Sequence, residues 1–219
     1  EVLTFEEIER LVRVAARLGV RKLRITGGEP LIRRNLAHLI RALRAIPGIE
    51  DIALTTNGVL LAERAAELYD AGLRRINVHL DTLDRERFRT ITRRDELHRV
   101  LEGVEACRRL GYGPIKINAV AVKNLVEPDI VPLAHYGRER DIEIRYIEFM
   151  PLDAQGLWDR DRVLTTDDML GMLAAEFGPL EPLPDADPRA PATEYRFADG
   201  VGSVGFIPTV TKPFCLNCN

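Results

Sequence analysis

Two cysteines near the carboxyl end, Cys215 and Cys218, form a C-x-x-C pair. In a chain without a secreted disulfide framework that spacing points to metal, iron–sulfur or redox chemistry. Two thiolates fall short of the roughly four ligands of a zinc or iron–sulfur site, so further ligands must come from elsewhere in the protein. A second group is Gly27-Gly28-Glu29-Pro30, directly after an alternating run. Paired glycines let a backbone approach a ligand closely, although an ordinary glycine turn reads the same way. Asn57-Gly58 after Thr55-Thr56 is also common turn chemistry, and it too ends a strand-like run. Arg24 and Lys116 are cations on separate runs and could hold an anion, phosphate being the usual one. Pairing with Glu148 or Asp81 would instead make them structural. His79 sits on the polar side of a run, whereas His38, His98 and His135 fall in helical patterns and read as solvated or capping. Cys107 shares a helical face with Val100, Leu101 and Val104 and reads as a small core residue.

The elements that must position these groups alternate between strand and helix. Thr4 with Glu7 predicts a capping box, and the helix behind it carries Ile8, Leu11, Val12, Ala15 and Leu18 on one face, with Gly19 as its stop. Strand patterns fall at residues 22–26, 52–56, 75–81, 115–120 and 142–150. Between them lie a helix capped by Asn35, one that stops at Gly72, one over 97–110 stopped by Gly111, and one over 129–140. Such alternation predicts a parallel sheet. Strands covered on both faces should read as continuous apolar runs, yet these alternate. One face holds Leu23, Ile25, Val78, Ile115, Ile117 and Ile144; the other is read as Arg24, Thr55, Asn77, His79, Lys116, Asn118, Tyr146 and Glu148. Polar groups on an inner face are costly unless something polar fills the space, so the pattern favours a partial (βα) barrel with a ligand-filled interior over an open sheet with one solvated face. Thr166 is placed as the cap of a helix to Phe177, residues 178–192 as a loop, and residues 195–207 as a hairpin leading to the cysteine pair. The expected domains are 1–165, the partial barrel, and 166–219, the extension.

The composition bounds the function. The 219 residues are 46% hydrophobic and 30% charged, enough for a sizeable core. A net charge of −3 offers no basic footprint for nucleic acid. No apolar run reaches the roughly 18 residues of a membrane span, and a cytoplasmic enzyme is expected.

Taken together, the motifs resemble the radical S-adenosylmethionine (SAM) superfamily and, within it, the GTP 3′,8-cyclases of molybdenum cofactor biosynthesis. The resemblance is carried by residues 24–31, by Leu54-Thr55-Thr56-Asn57-Gly58, by Asp81-Thr82-Leu83 and by Lys116-Ile117-Asn118-Ala119-Val120. It continues through Tyr146-Ile147-Glu148-Phe149-Met150-Pro151 and Pro213-Phe214-Cys215 with Cys218-Asn219. It implies a partial (βα) barrel in which a reduced [4Fe–4S] cluster cleaves SAM. The resulting deoxyadenosyl radical takes a ribose hydrogen from GTP, and a second [4Fe–4S] cluster binds the guanine. It assigns Gly27, Gly28, Glu29, His79 and Met150 to SAM, Arg24, Thr55 and Lys116 to GTP, and Cys215 and Cys218 to the second cluster. No side chain need act as acid or base, because the cofactors carry the chemistry. Three departures follow: the C-x-x-x-C-x-x-C motif of the first cluster is expected before Glu1; a third thiolate and an arginine-rich segment are expected after Asn219; and His79 stands where a serine is more usual. The 219-residue chain alone is therefore expected to be inactive. Expected partners are GTP and an electron donor, with a homodimer as one arrangement and neither nucleic acid nor membrane. The alternatives are another radical SAM enzyme with an auxiliary cluster, a non-catalytic nucleotide-binding remnant, and a phosphate-binding barrel with a zinc-bound tail.

Overall fold

The computed structural model describes residues 2–151, 156, 158–183 and 190–212. The chain opens with α1 (Phe5–Arg17), β1 (Lys22–Ile25), α2 (Leu36–Arg44), β2 (Asp51–Thr56), α3 (Leu61–Asp70) and β3 (Arg75–His79). There follow α4 (Arg85–Thr92), α5 (Leu97–Leu110), β4 (Ile115–Ala121), α6 (Ile130–Arg140) and β5 (Glu143–Glu148). Then come α7 (Thr166–Phe177), β6 (Leu180–Pro182), β7 (Thr193–Phe197) and β8 (Ser203–Ile207). The result is a mixed α/β fold in which most strand pairs are parallel. Among the described residues no helix is long and apolar enough to cross a membrane.

The chain divides into two compact units, one of residues 1–79 and 96–115, the other of 80–95 and 116–219. In the first, β1, β2 and β3 run parallel in that order, with Arg24 opposite Ala53 and Thr55 opposite Asn77. Its core is Leu36, Ile40, Leu54, Leu61, Leu68, Ile76 and Val100, the apolar sides of strands and helices that sequence periodicity marks out. The capping box at Thr4 forms in both directions: Glu7 N–H donates to Thr4 Oγ1 (3.2 Å) and Thr4 N–H to Glu7 Oε2 (2.8 Å). The stripe of α1 is nevertheless not buried, and Leu11 and Leu18 are exposed. The reason is geometric: α1 stands off from β1 and α2, leaving a cavity of about 270 Å³ lined by Ile8, Val12, Leu23, Ile25, Leu39 and Leu43 among others. Asn35 does occupy the cap of α2, but in the left-handed region and with no hydrogen bond from its side chain to the helix. Gly111 ends α5 as expected, at φ +81°. Cys107 lies in the core, where burial pushes its thiol up to about 12.

In the second unit β4 and β5 are parallel, β5 pairs in parallel with β8, and β8–β7–β6 continues antiparallel. Three expectations are corrected here. The stretch taken as loop contains β6, because Leu180–Pro182 pairs with Tyr195–Phe197 at the far edge of the hairpin. The cap of α7 is Thr165 rather than Thr166, since Asp168 completes a capping box with Thr165. Residues 85–92 form α4, a helix hidden from periodicity because it is mostly charged and buries only Phe88.

Candidate functional site

In the first unit, β1 runs into Gly27, whose φ of +147° suits glycine alone, and then Gly28. A Cβ added at either would meet nothing within 4 Å, so their backbone groups face open space. Glu29 is committed to the protein. Its Oε1 accepts from Leu31 N–H (2.9 Å) and Thr56 Oγ1 (2.7 Å), and its Oε2 accepts from Asn57 N–H (2.7 Å). One carboxylate thus ties the loop after β1 to the loop after β2. Thr56 Oγ1 accepts in turn from Gly58 N–H (3.0 Å), and Asn57 Oδ1 from Val59 N–H (3.0 Å). The two turn sequences that looked ordinary apart are one hydrogen-bonded construction. The strand parity puts Arg24, Thr55, Asn77 and His79 on one face, as read from the sequence. Arg24 and His79 are exposed, whereas Thr55 Oγ1 is buried without a hydrogen-bond partner among the described residues. A buried hydroxyl in that condition is costly unless a ligand or water completes it.

In the second unit Lys116 lies near the start of β4, its side chain 11% exposed. It does not pair with Glu148 or Asp81. Its Nζ donates to Glu143 Oε2 (2.6 Å) and Glu194 Oε1 (3.3 Å), and Arg145 joins the same two carboxylates, with 2.9 Å from Nη2 to Glu194 Oε1. Burial works against the charge of Glu194, but Lys116 and then Arg145 outweigh it and hold its carboxyl below the ordinary range. The register Lys116↔Glu143 and Asn118↔Arg145 sets these residues on one face. Asn118 Oδ1 on that face is buried and unpartnered among the described residues.

Tyr146 and Glu148, read as sharing that face, are on the other one with Ile144. Tyr146 is fully buried and donates its hydroxyl to Ile130 O at the start of α6 (2.6 Å). Glu148, also fully buried, accepts from Thr166 N–H (2.9 Å), Val210 N–H (2.9 Å), Thr211 N–H (2.8 Å) and Thr211 Oγ1 (2.6 Å). Burial raises its carboxyl, yet these bonds, led by Thr211, leave it below the usual carboxylate range. Asp81, of the Asp81-Thr82-Leu83 run, accepts from Val120 N–H (2.7 Å), and Thr82 donates to Asp129 (2.7 Å). Met150 follows β5 and is half-buried. Cys215 and Cys218 lie outside the described residues. Among the described residues no grouping of three or more His, Cys, Asp or Glu could hold a metal ion.

Sequence reasoning therefore missed Glu143, Arg145 and Glu194. The alternation Glu143-Ile144-Arg145 was a usable signal, since residues two apart on a strand share a face. Glu194 was not, because it reaches Lys116 only through the pairing of β7 with β8.

Family models match along most of the chain: the radical SAM superfamily over residues 1–136 and Molybdenum Cofactor Synthesis C over residues 142–219. The GTP 3′,8-cyclase of Rhodopirellula baltica is 47% identical over 221 residues, covering 100% of this chain and 62% of that protein. That of Pelotomaculum thermopropionicum is 42% identical over 219 residues, covering 100% of this chain and 67% of that protein. The chain belongs to the GTP 3′,8-cyclase family of radical SAM proteins. It spans about two thirds of the length of these family members. Among solved structures, methylornithine synthase aligns with a TM-score of 0.63 at 16% identity, over 82% of this chain and 55% of that one. Native anSMEcpe with bound AdoMet aligns with a TM-score of 0.62 at 18% identity, over 80% and 52%. At such identities the likeness is one of fold, and it agrees with the parallel α/β arrangement.

Proposed function

We propose that the protein to which this chain belongs cyclises GTP to 3′,8-cyclo-7,8-dihydro-GTP, the first step of molybdopterin synthesis, using SAM and two [4Fe–4S] clusters. The observation that carries the reading is 47% identity to a GTP 3′,8-cyclase over the whole chain. The geometry is compatible with it. Bare backbone at Gly27 and Gly28, with open space beside it, fits a ligand laid along the end of β1. The unpartnered Thr55 Oγ1 and Asn118 Oδ1 call for polar ligand groups.

In this reading Gly27, Gly28, His79 and Met150 bind SAM, and Glu29 shapes the loop that does so through its bonds to Thr56 and Asn57. Arg24, Thr55 and Lys116 contact GTP, the two cations taking its phosphates. Cys215 and Cys218 hold the second cluster. When bound, the clusters and SAM supply the radical chemistry. The chain's own work is to orient SAM and nucleotide and to keep water away. The partners are GTP and an electron donor, in the cytoplasm, and light scattering would test for a homodimer.

The test is full-length protein purified and reconstituted without oxygen. Iron and acid-labile sulfide for two clusters, with GTP-dependent release of 5′-deoxyadenosine, is the expected result. Zinc without iron, or deoxyadenosine release indifferent to GTP, would reject the reading.

A further inference from the structure

The ring of Lys116, Glu143, Arg145 and Glu194 is balanced. Two cations meet two carboxylates, and each carboxylate contacts both cations. The side chains are only 11% exposed for Lys116 and Arg145, 12% for Glu143 and 24% for Glu194. Three strands supply it: Lys116 from β4, Glu143 and Arg145 from β5, and Glu194 from β7. On β8 the neighbouring position is Gly205, where a Cβ would come within 3.1 Å of Arg145 Cγ and 3.3 Å of Glu143 Oε1. The glycine leaves room against the ring that any side chain would fill. Beside the ring, Asn118 Oδ1 is buried and unpartnered on the same face, a second sign of a ligand there.

A balanced ring cannot act as a simple cationic trap. A ligand with one negative charge that displaces a carboxylate from Lys116 replaces one anion by another and gains little. A ligand presenting several phosphate charges on one chain can engage Lys116 and Arg145 together and repay the lost contacts. We propose that Glu143 and Glu194 are specificity-determining residues, a carboxylate filter that reserves this cationic pair for polyphosphate nucleotides and discriminates against monophosphates. Selectivity here comes from competition built into the site as well as from attraction. Glu194 is the more telling of the two, since it arrives from β7 and contributes charge without belonging to the β4–β5 pair. The inference rests on the reading that Lys116 contacts the triphosphate of GTP.

The test is equilibrium binding of GTP and GMP to the full-length, cluster-loaded protein and to its Glu194→Gln, Glu143→Gln and Lys116→Met variants, with thermal melting as a check on folding. With Glu194→Gln the preference for GTP over GMP should fall roughly fivefold, mainly through tighter GMP binding. Glu143→Gln repeats the measurement from the other carboxylate should Glu194→Gln not fold. An unchanged GTP-to-GMP ratio, or equal weakening of both nucleotides, overturns the filter and leaves the ring a structural brace. Lys116→Met distinguishes the parent reading. If it weakens GTP several-fold while the carboxylate variants leave the ratio alone, only the filter fails. If it leaves GTP affinity unchanged, Lys116 is not a phosphate contact, and the filter falls with that assignment.

Discussion

Among single residues, the two buried glutamates Glu29 and Glu148 are placed by protein donors and not by cations. Each carboxylate joins segments distant in sequence: Glu29 joins the ends of β1 and β2, and Glu148 joins β5 to the start of α7 and to residues 210–211. Charge-assisted bonds of this kind are strong, and removing the acceptor strands several buried donors. Glu148→Gln should therefore cost about 2–3 kcal/mol of unfolding free energy at pH 7, measured by urea denaturation. The acid limb supplies a second readout. Because the folded carboxyl lies below its unfolded value, its contribution is present above the ordinary carboxylate range and disappears as pH falls through the folded value. The wild-type chain should lose stability from about pH 4 downward, and Glu148→Gln should show a shallower loss. An equally steep acid limb in the variant would place the titration on other groups.

Where whole elements meet, glycines decide how closely they approach. Gly103 on α5 sits against α3, and a Cβ there would lie 2.8 Å from Leu61 Cβ and 2.9 Å from Gly58 O. Neither neighbour is the loose end of a side chain, so backbone must move. Gly103→Ala should destabilise the chain by about 1–3 kcal/mol despite the better helix propensity of alanine. It should also disturb the Asn57-Gly58 loop, visible as faster amide exchange at Gly58 and Val59. A neutral or stabilising effect would mean that α5 can shift freely. The arrangement of β5 carries a related lesson. Alternation correctly predicts two faces, but assigning a face needs the partner register. Lys116 is opposite Glu143, so Glu143 and Arg145 join the polar ring while Tyr146 and Glu148 turn the other way.

At the scale of the whole chain, the two family matches meet between residues 136 and 142, and the fold does not respect that boundary. Lys116 belongs to the first matched region, whereas Glu143, Arg145 and Glu194 belong to the second. β4 and β5 are paired from Lys116↔Glu143 to Ala121↔Glu148. A chain ending at residue 141 would expose that edge of β4 and leave Lys116 buried without its carboxylates. It should unfold without a cooperative transition or aggregate, as judged by circular dichroism and size-exclusion chromatography. A monomeric, cooperatively melting fragment would show that the ring and the β4–β5 pair are dispensable for folding.

Much of the protein could be worked out from its amino-acid order. Local signals acting over a few residues, such as Thr4 with Glu7, Gly111 after α5 and the alternation of β1–β3, led to elements found where expected. The motif residues also led to the family. These signals work because capping, turn chemistry and periodicity depend on neighbours along the chain. The ion partners of Lys116, the burial of Glu148 and the tie made by Glu29 depend on groups tens of residues away. A charge in sequence does not choose between a ligand and a carboxylate on another strand. That choice is made by register, which strand pairs with which and at what offset, and only the assembled sheet supplies it. For Lys116 it selected Glu143 and Glu194, turning a lone cation into a neutral ring.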